Sequence, residues 1–198
     1  MTQIAPNTRP ILPTELAFDT ERLVKDLAEI QRRFPMHPEA MQIALTHSSE
    51  ALTPEAKAYD GIGSLYDFAT QSYKRDPADF TVFNENFKDL YFFEVYQRVL
   101  AWSPSKIGRV RLMLRKPSSC YSMHFDESGR YHVAITTNLE CYFLFKNIGL
   151  YQIPADGRLF TFDATKMHTG FNAGRTDRIH LVFDTIDWRV ANIENSKN

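Results

Sequence analysis

A chain of 198 residues with 43% hydrophobic and 13% aromatic side chains is long enough to bury an ordinary core and too apolar for global disorder. Its 23 basic and 24 acidic residues leave a formal charge of −1, without the one-sign excess of a dedicated nucleic-acid or membrane-surface binder. Two cysteines, Cys120 and Cys141, are too few for a disulfide scaffold, so reduced thiols and a cytoplasmic location are expected. Residues 1–19 lack the apolar core of a signal peptide, and no run reaches the roughly 18 apolar residues of a membrane span. The polar tail 192–198 is expected to fray.

The pattern predicts one domain over 1–198. Its first part, 1–105, reads as mainly helical, a supporting and substrate-facing region; 106–190 reads as a β core. Residues 19–34 place Leu23, Leu27, Ile30 and Phe34 on one helical face, with Asp19 or Thr20 as N-cap and Pro35 as terminator. The segment 47–67 reads as irregular, and a long loop in a compact domain is often a binding element. Within it, Gly61 and Gly63 allow close backbone approach, and Tyr59 and Tyr66 offer rings and hydroxyls. Residues 86–102 form a second, more apolar helix stopped before Pro104.

From 107 onward the chain reads as strands, at 107–116, 131–138, 141–146, 150–154, 158–163 and 178–187. Asp156-Gly157 is a hairpin signal. Arg109, Arg111 and Arg115 alternate with apolar residues in the first of these runs; they could face an acidic substrate group, but such alternation is more often a solvated face. Short strands joined by turns favour an antiparallel barrel or double sheet. The predicted fold is mainly β with flanking α-helices: a cupin-like jelly roll, the double-stranded β-helix, with helices packed outside it.

The chemistry concentrates in 121-YSMHFDESGRYHVAITTN-138. In an extended chain His124 and Asp126 point the same way, about 7 Å apart. His168, in 166-KMHTGFNAGRTDRIHLVFD-184, is the best third ligand. Two imidazoles and one carboxylate suit non-haem Fe(II) with open positions; imidazole also suits zinc, so ligand type alone does not fix the metal. Arg178 can grip a carboxylate bidentately, and Arg130 with His132 offers further donors. Together they suit a small dicarboxylic co-substrate chelated at one end and clamped at the other. Singly, each residue has an ordinary explanation: a chance HxD triplet, a loop histidine, a strand arginine, and core histidines at 132 and 180. The joint spacing is what is specific. A non-catalytic cupin-like metal-binding module or a zinc hydrolase needs no such clamp.

The runs RLMLRKPSSCYSMHFDESGRYHVAITTN and MHTGFNAGRTDRIHLVFD resemble the aspartyl/asparaginyl β-hydroxylase-like family of Fe(II)/2-oxoglutarate-dependent dioxygenases over about residues 107–187. The resemblance implies Fe(II) held by His124, Asp126 and His168, the distal carboxylate of 2-oxoglutarate held by Arg178, and its chelating end met by Arg130 and His132. The family's founding hydroxylase lacks the carboxylate ligand, whereas this chain has Asp126. A family serine upstream of the first histidine touches the co-substrate; Ser118, Ser119 and Ser122 lie nearby, and Ser119 is carried forward as the candidate. Asn172 matches an asparagine that follows the last ligand. The implied activity is O2-dependent hydroxylation of a C–H bond of an amino acid or amino-acid residue, releasing succinate and CO2. The substrate would be a small molecule or a peptide, with no nucleic acid or membrane involved.

Overall fold

The computed structural model describes residues 9–67, 69–70, 72–126 and 128–187. The expected tail at 192–198 and the Tyr66 side chain lie outside the described residues. Strands in chain order are β1 (Ile11–Ala17), β2 (Gln42–Ala44), β3 (Thr46–His47), β4 (Tyr66–Asp67), β5 (Ser72–Tyr73), β6 (Val82–Phe83), β7 (Ile107–Arg115), β8 (Ser119–Cys120), β9 (Arg130–Thr136), β10 (Cys141–Phe145), β11 (Gly149–Tyr151), β12 (Arg158–Phe162), β13 (His168–Asn172) and β14 (Arg178–Thr185). The helices are α1 (Thr20–Arg33), α2 (Pro54–Tyr59) and α3 (Tyr91–Trp102).

Alternation along the long strands produces the layers. In β7, β9 and β14 one set of side chains (Val110, Leu112, Leu114; Tyr131, Val133, Ile135; Ile179, Leu181, Phe183) packs against Leu23, Leu27 and Ile30 of α1 and Phe92, Val95 and Val99 of α3. The opposite set faces the second sheet. There Ala134, Phe160 and Phe162 meet Phe143 and Phe145 of β10. The major sheet has six strands in the order β1-β12-β9-β14-β7-β2, and the minor sheet has four in the order β11-β10-β13-β8. Every pairing in both is antiparallel. Two face-to-face antiparallel sheets with helices on one outer face are the expected jelly-roll architecture.

The α1 start follows the sequence: the Asp19 carboxylate accepts from the Arg22 amide at 3.0 Å, a cap worth about 1 kcal/mol. Besides the short helix α2 inside the segment that read as irregular and the later start of α3, at Tyr91 instead of residue 86, three local features differ from expectation. The segment expected to be mainly helical supplies two strands of the major sheet, β1 and β2. Asp156-Gly157 is a turn but not a hairpin, because β11 pairs with β10 while β12 pairs with β1 and β9. Gly157, at φ 81°, carries the chain from one sheet to the other where a Cβ would lie 2.1 Å from the Phe18 carbonyl oxygen. The third is β13, which HTGFN does not advertise.

Candidate active site

Residues 120–126 run antiparallel beside β13 and the turn before it. Backbone bonds join Tyr121 N to Gly170 O (3.1 Å), His124 N to His168 O (2.9 Å), His168 N to His124 O (2.7 Å) and Asp126 N to Ala164 O (2.8 Å). This pairing registers His124 against His168, and their ring centroids lie 4.5 Å apart. Alternation turns Met123 and Phe125 outward, 42% and 61% exposed, and His124 and Asp126 inward. One potential ligand atom from each of His124, Asp126 and His168 lies within 4.8 Å of the others. Asp126 Oδ2 is 4.0 Å from His168 Nε2.

The donor set fits a metal ion in tautomer as well as position. His124 Nδ1 lies 2.8 Å from the Ser122 carbonyl, and His168 Nδ1 lies 2.8 Å from the Lys166 carbonyl. Each Nδ1–H therefore donates to a backbone oxygen, leaving the Nε2 lone pair to bind metal, a common outer-shell device at metal sites. Burial pushes His168 down to about 4 despite the Lys166 carbonyl and Asp126, so its ring is neutral at ordinary pH, as a ligand must be. Arg130 Nη2 holds Asp126 Oδ2 at 2.9 Å.

A small cavity opens beside these groups. His124, His168, Arg130, His132, His180, Arg178 and Tyr121 supply its polar wall; Met113, Phe143, Phe162 and Val182 supply the apolar one. Arg178 is 4% exposed, and its guanidinium carbon sits 4.8 Å over the Phe143 ring. Its Nε and Nη1 have no hydrogen-bond partner among the described residues, and neither do the Nε2 atoms of His132 and His180. Burial lowers Arg178 only to about 10, so it stays charged at neutral pH. A buried, charged, unpaired guanidinium is costly unless an anion meets it. Gly170 keeps the clamp open: a Cβ there would lie 3.0 Å from Phe143 and 3.5 Å from Arg178 Nη1.

The structure thus brings together six of the seven residues singled out in the sequence: His124, Asp126, His168, Arg130, His132 and Arg178. Ser119 does not join them. It pairs with Asn172 across β8–β13, and its hydroxyl donates to the Lys116 carbonyl at 2.6 Å. Asn172 is buried framework. Its amide donates to the Arg115 and Thr176 carbonyls, and its side-chain oxygen accepts from Asn138 and the Gly174 amide. His180 is more than a core histidine, because it lines the cavity. Tyr121, Met113, Phe143, Phe162 and Val182 carried no motif and were missed.

The Arg109/Arg111 reading also changes. These side chains point inward and are buried, and both bind Asp184: Arg109 Nε at 2.8 Å, Arg111 Nη2 at 2.8 and 3.0 Å. Arg130 Nε adds a third contact at 3.1 Å. Arg109 also donates to the Gly61 and Gly63 carbonyls at 2.8 and 3.1 Å, and Gln42 accepts from the Gly63 amide at 3.0 Å. The glycine loop is therefore anchored to the charged cluster rather than free. Tyr59 points elsewhere, with its hydroxyl donating to the Pro35 carbonyl.

A model of the aspartyl/asparaginyl β-hydroxylase family matches residues 92–187. Among solved structures, the collagen prolyl hydroxylase vCPH of Paramecium Bursaria Chlorella virus-1, in its 2OG complex, superposes with a TM-score of 0.52 at 9% identity, covering 90% of this chain and 96% of that one. AviO1 from Streptomyces viridochromogenes Tue57 gives 0.52 at 13% identity, covering 90% of each. The nickel complex of the non-heme monooxygenase ThoJ gives 0.50 at 12%, covering 90% of this chain and 74% of that one. At such identities the likeness is one of fold. No curated protein matches. Fold, ligand set and family match define a 2-oxoglutarate-dependent Fe(II) oxygenase, a hydroxylase by class. The β core matches the aspartyl/asparaginyl β-hydroxylase family model, and the cofactor set is Fe(II) with 2-oxoglutarate and O2. No helix among the described residues is long and apolar enough to cross a membrane.

Proposed function

We propose that this chain hydroxylates a C–H bond of an amino acid or amino-acid residue, with His124, Asp126 and His168 holding Fe(II) and Arg178 holding the distal carboxylate of 2-oxoglutarate. The observation that carries the reading is Arg178: a buried guanidinium with two unpartnered nitrogens, Nε and Nη1, on the cavity that also contains His124 and His168. Bound Fe(II) supplies the oxygen-activating chemistry that couples conversion of 2-oxoglutarate into succinate and CO2 to hydroxylation.

The chain's own residues bind and orient. The Ser122 and Lys166 carbonyls fix the two imidazole tautomers, and Arg130 orients the Asp126 carboxylate from the side. Arg130 also stands beside the metal ligands on the cavity wall, where it can meet the co-substrate's near carboxylate. Phe143, Phe162, Met113 and Val182 enclose the carbon chain between the two carboxylates and keep water from it. The Arg109–Asp184–Arg111 cluster ties Gly61 and Gly63 near this face, which supports the 58–67 segment as a wall of the substrate site.

The test is succinate release from 2-oxoglutarate by the purified chain with Fe(II), ascorbate and O2. It is run first alone and then across free amino acids and short peptides, scored by a mass gain of one oxygen. Slow uncoupled turnover, accelerated by one amino-acid substrate, is expected. Absence of both turnover and 2-oxoglutarate binding refutes the reading.

A further inference from the structure

Arg178 can fill two acceptor positions of a carboxylate, which has about four. A second donor is wanted at that end of the cavity, and Ser119 does not supply it, because its hydroxyl is engaged by Lys116. The neutral polar groups on the cavity wall, apart from the metal ligands, are the Tyr121 hydroxyl and the rings of His132 and His180. The two rings are coupled. Their Nδ1 atoms lie 3.2 Å apart, and both Nε2 atoms are buried without a partner.

Burial first, then Arg130 and Arg178 at His132 and Arg178 at His180, hold both rings well below the ordinary histidine range, so both are neutral. A neutral imidazole carries one N–H. The Nδ1–Nδ1 contact needs one donor and one acceptor, so one ring has its hydrogen on Nδ1 and a bare Nε2. The other has a bare Nδ1 and its hydrogen on Nε2. Only one of the two Nε2 atoms can donate into the cavity.

Position says which. His180 follows Arg178 by two residues on β14, so the two side chains share a face. His132 lies a step toward the metal: its partner in register on β14 is Val182, whereas that of His180 on β9 is Ala134. The strongest charge acting on His180 is Arg178, and the strongest on His132 is Arg130.

We infer that His180 is a second anchor for the distal carboxylate, donating from Nε2–H beside Arg178, and that His132 is a positioning residue whose Nδ1–H fixes the His180 tautomer. This rests on the oxygenase reading above and reassigns His132, which the family resemblance placed at the chelating end. His132 then presents a bare Nε2 to the cavity, and the near carboxylate falls to Arg130.

Amide substitutions test the direction of the shared hydrogen bond, because a Gln amide reaches near the Nε2 position and an Asn amide near Nδ1. The measurement is calorimetric titration of 2-oxoglutarate into the Mn(II)-loaded, oxygen-free protein. His180→Gln should stay within a few-fold of wild type, and His180→Asn should lose roughly 10- to 100-fold, the range of a hydrogen bond to a charged group. At the other ring the order inverts: His132→Asn binds better than His132→Gln. Tyr121→Phe should change affinity less than His180→Asn does. The opposite order at both rings, equal losses in all four variants, or a loss confined to Tyr121→Phe overturns the inference while wild type still binds. Failure of the wild-type chain to bind 2-oxoglutarate overturns the oxygenase reading and the inference with it.

Discussion

The inner face of the major sheet carries arginines at both ends, and the two ends are treated differently. At one end Arg109, Arg111 and Arg130 all reach one buried carboxylate, Asp184. At the other, Arg178 is 4% exposed and forms no ion pair among the described residues; its neighbour in register is another cation, Arg115. Arg115 lies over the Tyr121 ring and leaves its own Nε and Nη2 without hydrogen-bond partners among the described residues. The same sheet face and residue type thus give a closed ion cluster and an open one. Closed clusters hold structure together; an open buried cation is a site in want of an anion.

The largest effect should come from the closed end. Asp184→Asn leaves three guanidiniums crowded without their shared counter-charge, and about 3–5 kcal/mol of stability should be lost, read from the urea midpoint. Burial alone would raise the Asp184 pKa, but Arg111, Arg109 and Arg130 together outweigh it and hold the group far below the ordinary range. A depressed carboxylate contributes stability that is fully present above its unfolded value, near pH 4, and is lost as pH falls toward the folded one. The wild-type urea midpoint should therefore drop on acidification below about pH 5, and Asp184→Asn should flatten that limb. A variant as stable as wild type, with the same acid limb, would mean the cluster is not a unit.

Arg178 should behave in the opposite way. Arg178→Met removes an uncompensated buried charge, so the metal-free protein should be no less stable than wild type and slightly higher in melting temperature. Its 2-oxoglutarate affinity should fall more than 100-fold, since two charge-assisted bonds of ~1.5–3 kcal/mol each are lost, while Mn(II) binding survives. Co-substrate-induced thermal stabilisation, present in wild type and absent in the variant, is the simplest readout. A variant that unfolds instead would place Arg178 among the structural arginines and erase the contrast.

The contrast between the two ends was only half legible in the sequence. His124 and Asp126 are separated by one residue, so alternation alone aims them together, and Arg178 follows His168 by ten residues at the start of a strong strand pattern. Arg109 and Arg111 read as a solvated face because their partner lies 75 and 73 residues away, and local pattern carries no trace of a distant counter-ion. β13 was hidden for a similar reason. His-Thr-Gly-Phe-Asn has weak strand propensity, and its strand state comes from pairing with β10 and β8 on either side. β1 was masked by Pro13, which sits on an edge strand where a missing amide is tolerated. α1 was legible because its Asp19 cap and its 3.6-residue period are local; α2 lies in a segment that read as irregular, and α3, which has no side-chain cap, starts five residues later than expected.

A middle-sized effect should come from Gly170, which the open end needs small. Gly170→Ala adds a Cβ 3.0 Å from the Phe143 ring, under the arginine that Phe143 supports. The ring must give by a few tenths of an ångström, and Arg178 moves with it. A loss of about 3- to 10-fold in 2-oxoglutarate affinity is expected from a fraction of one hydrogen bond, with metal affinity unchanged. An unchanged co-substrate affinity would show that the Phe143–Arg178 stack is looser than its 4.8 Å separation suggests.

The smallest effect is the most discriminating for the way family likeness transfers to this chain. Ser119 occupies the part of the sequence where the resemblance implies a hydroxyl that touches the co-substrate, yet its own donates to the Lys116 carbonyl and its backbone pairs with β13. Ser119→Ala should alter 2-oxoglutarate affinity by less than about 2-fold, because it removes a half-exposed local hydrogen bond of ~1 kcal/mol or less and nothing from the cavity. A loss of 10-fold or more would require the β8 turn to rearrange on binding and bring the hydroxyl inward. The open end would then be closed partly by movement, and not only by the fixed groups that now surround Arg178.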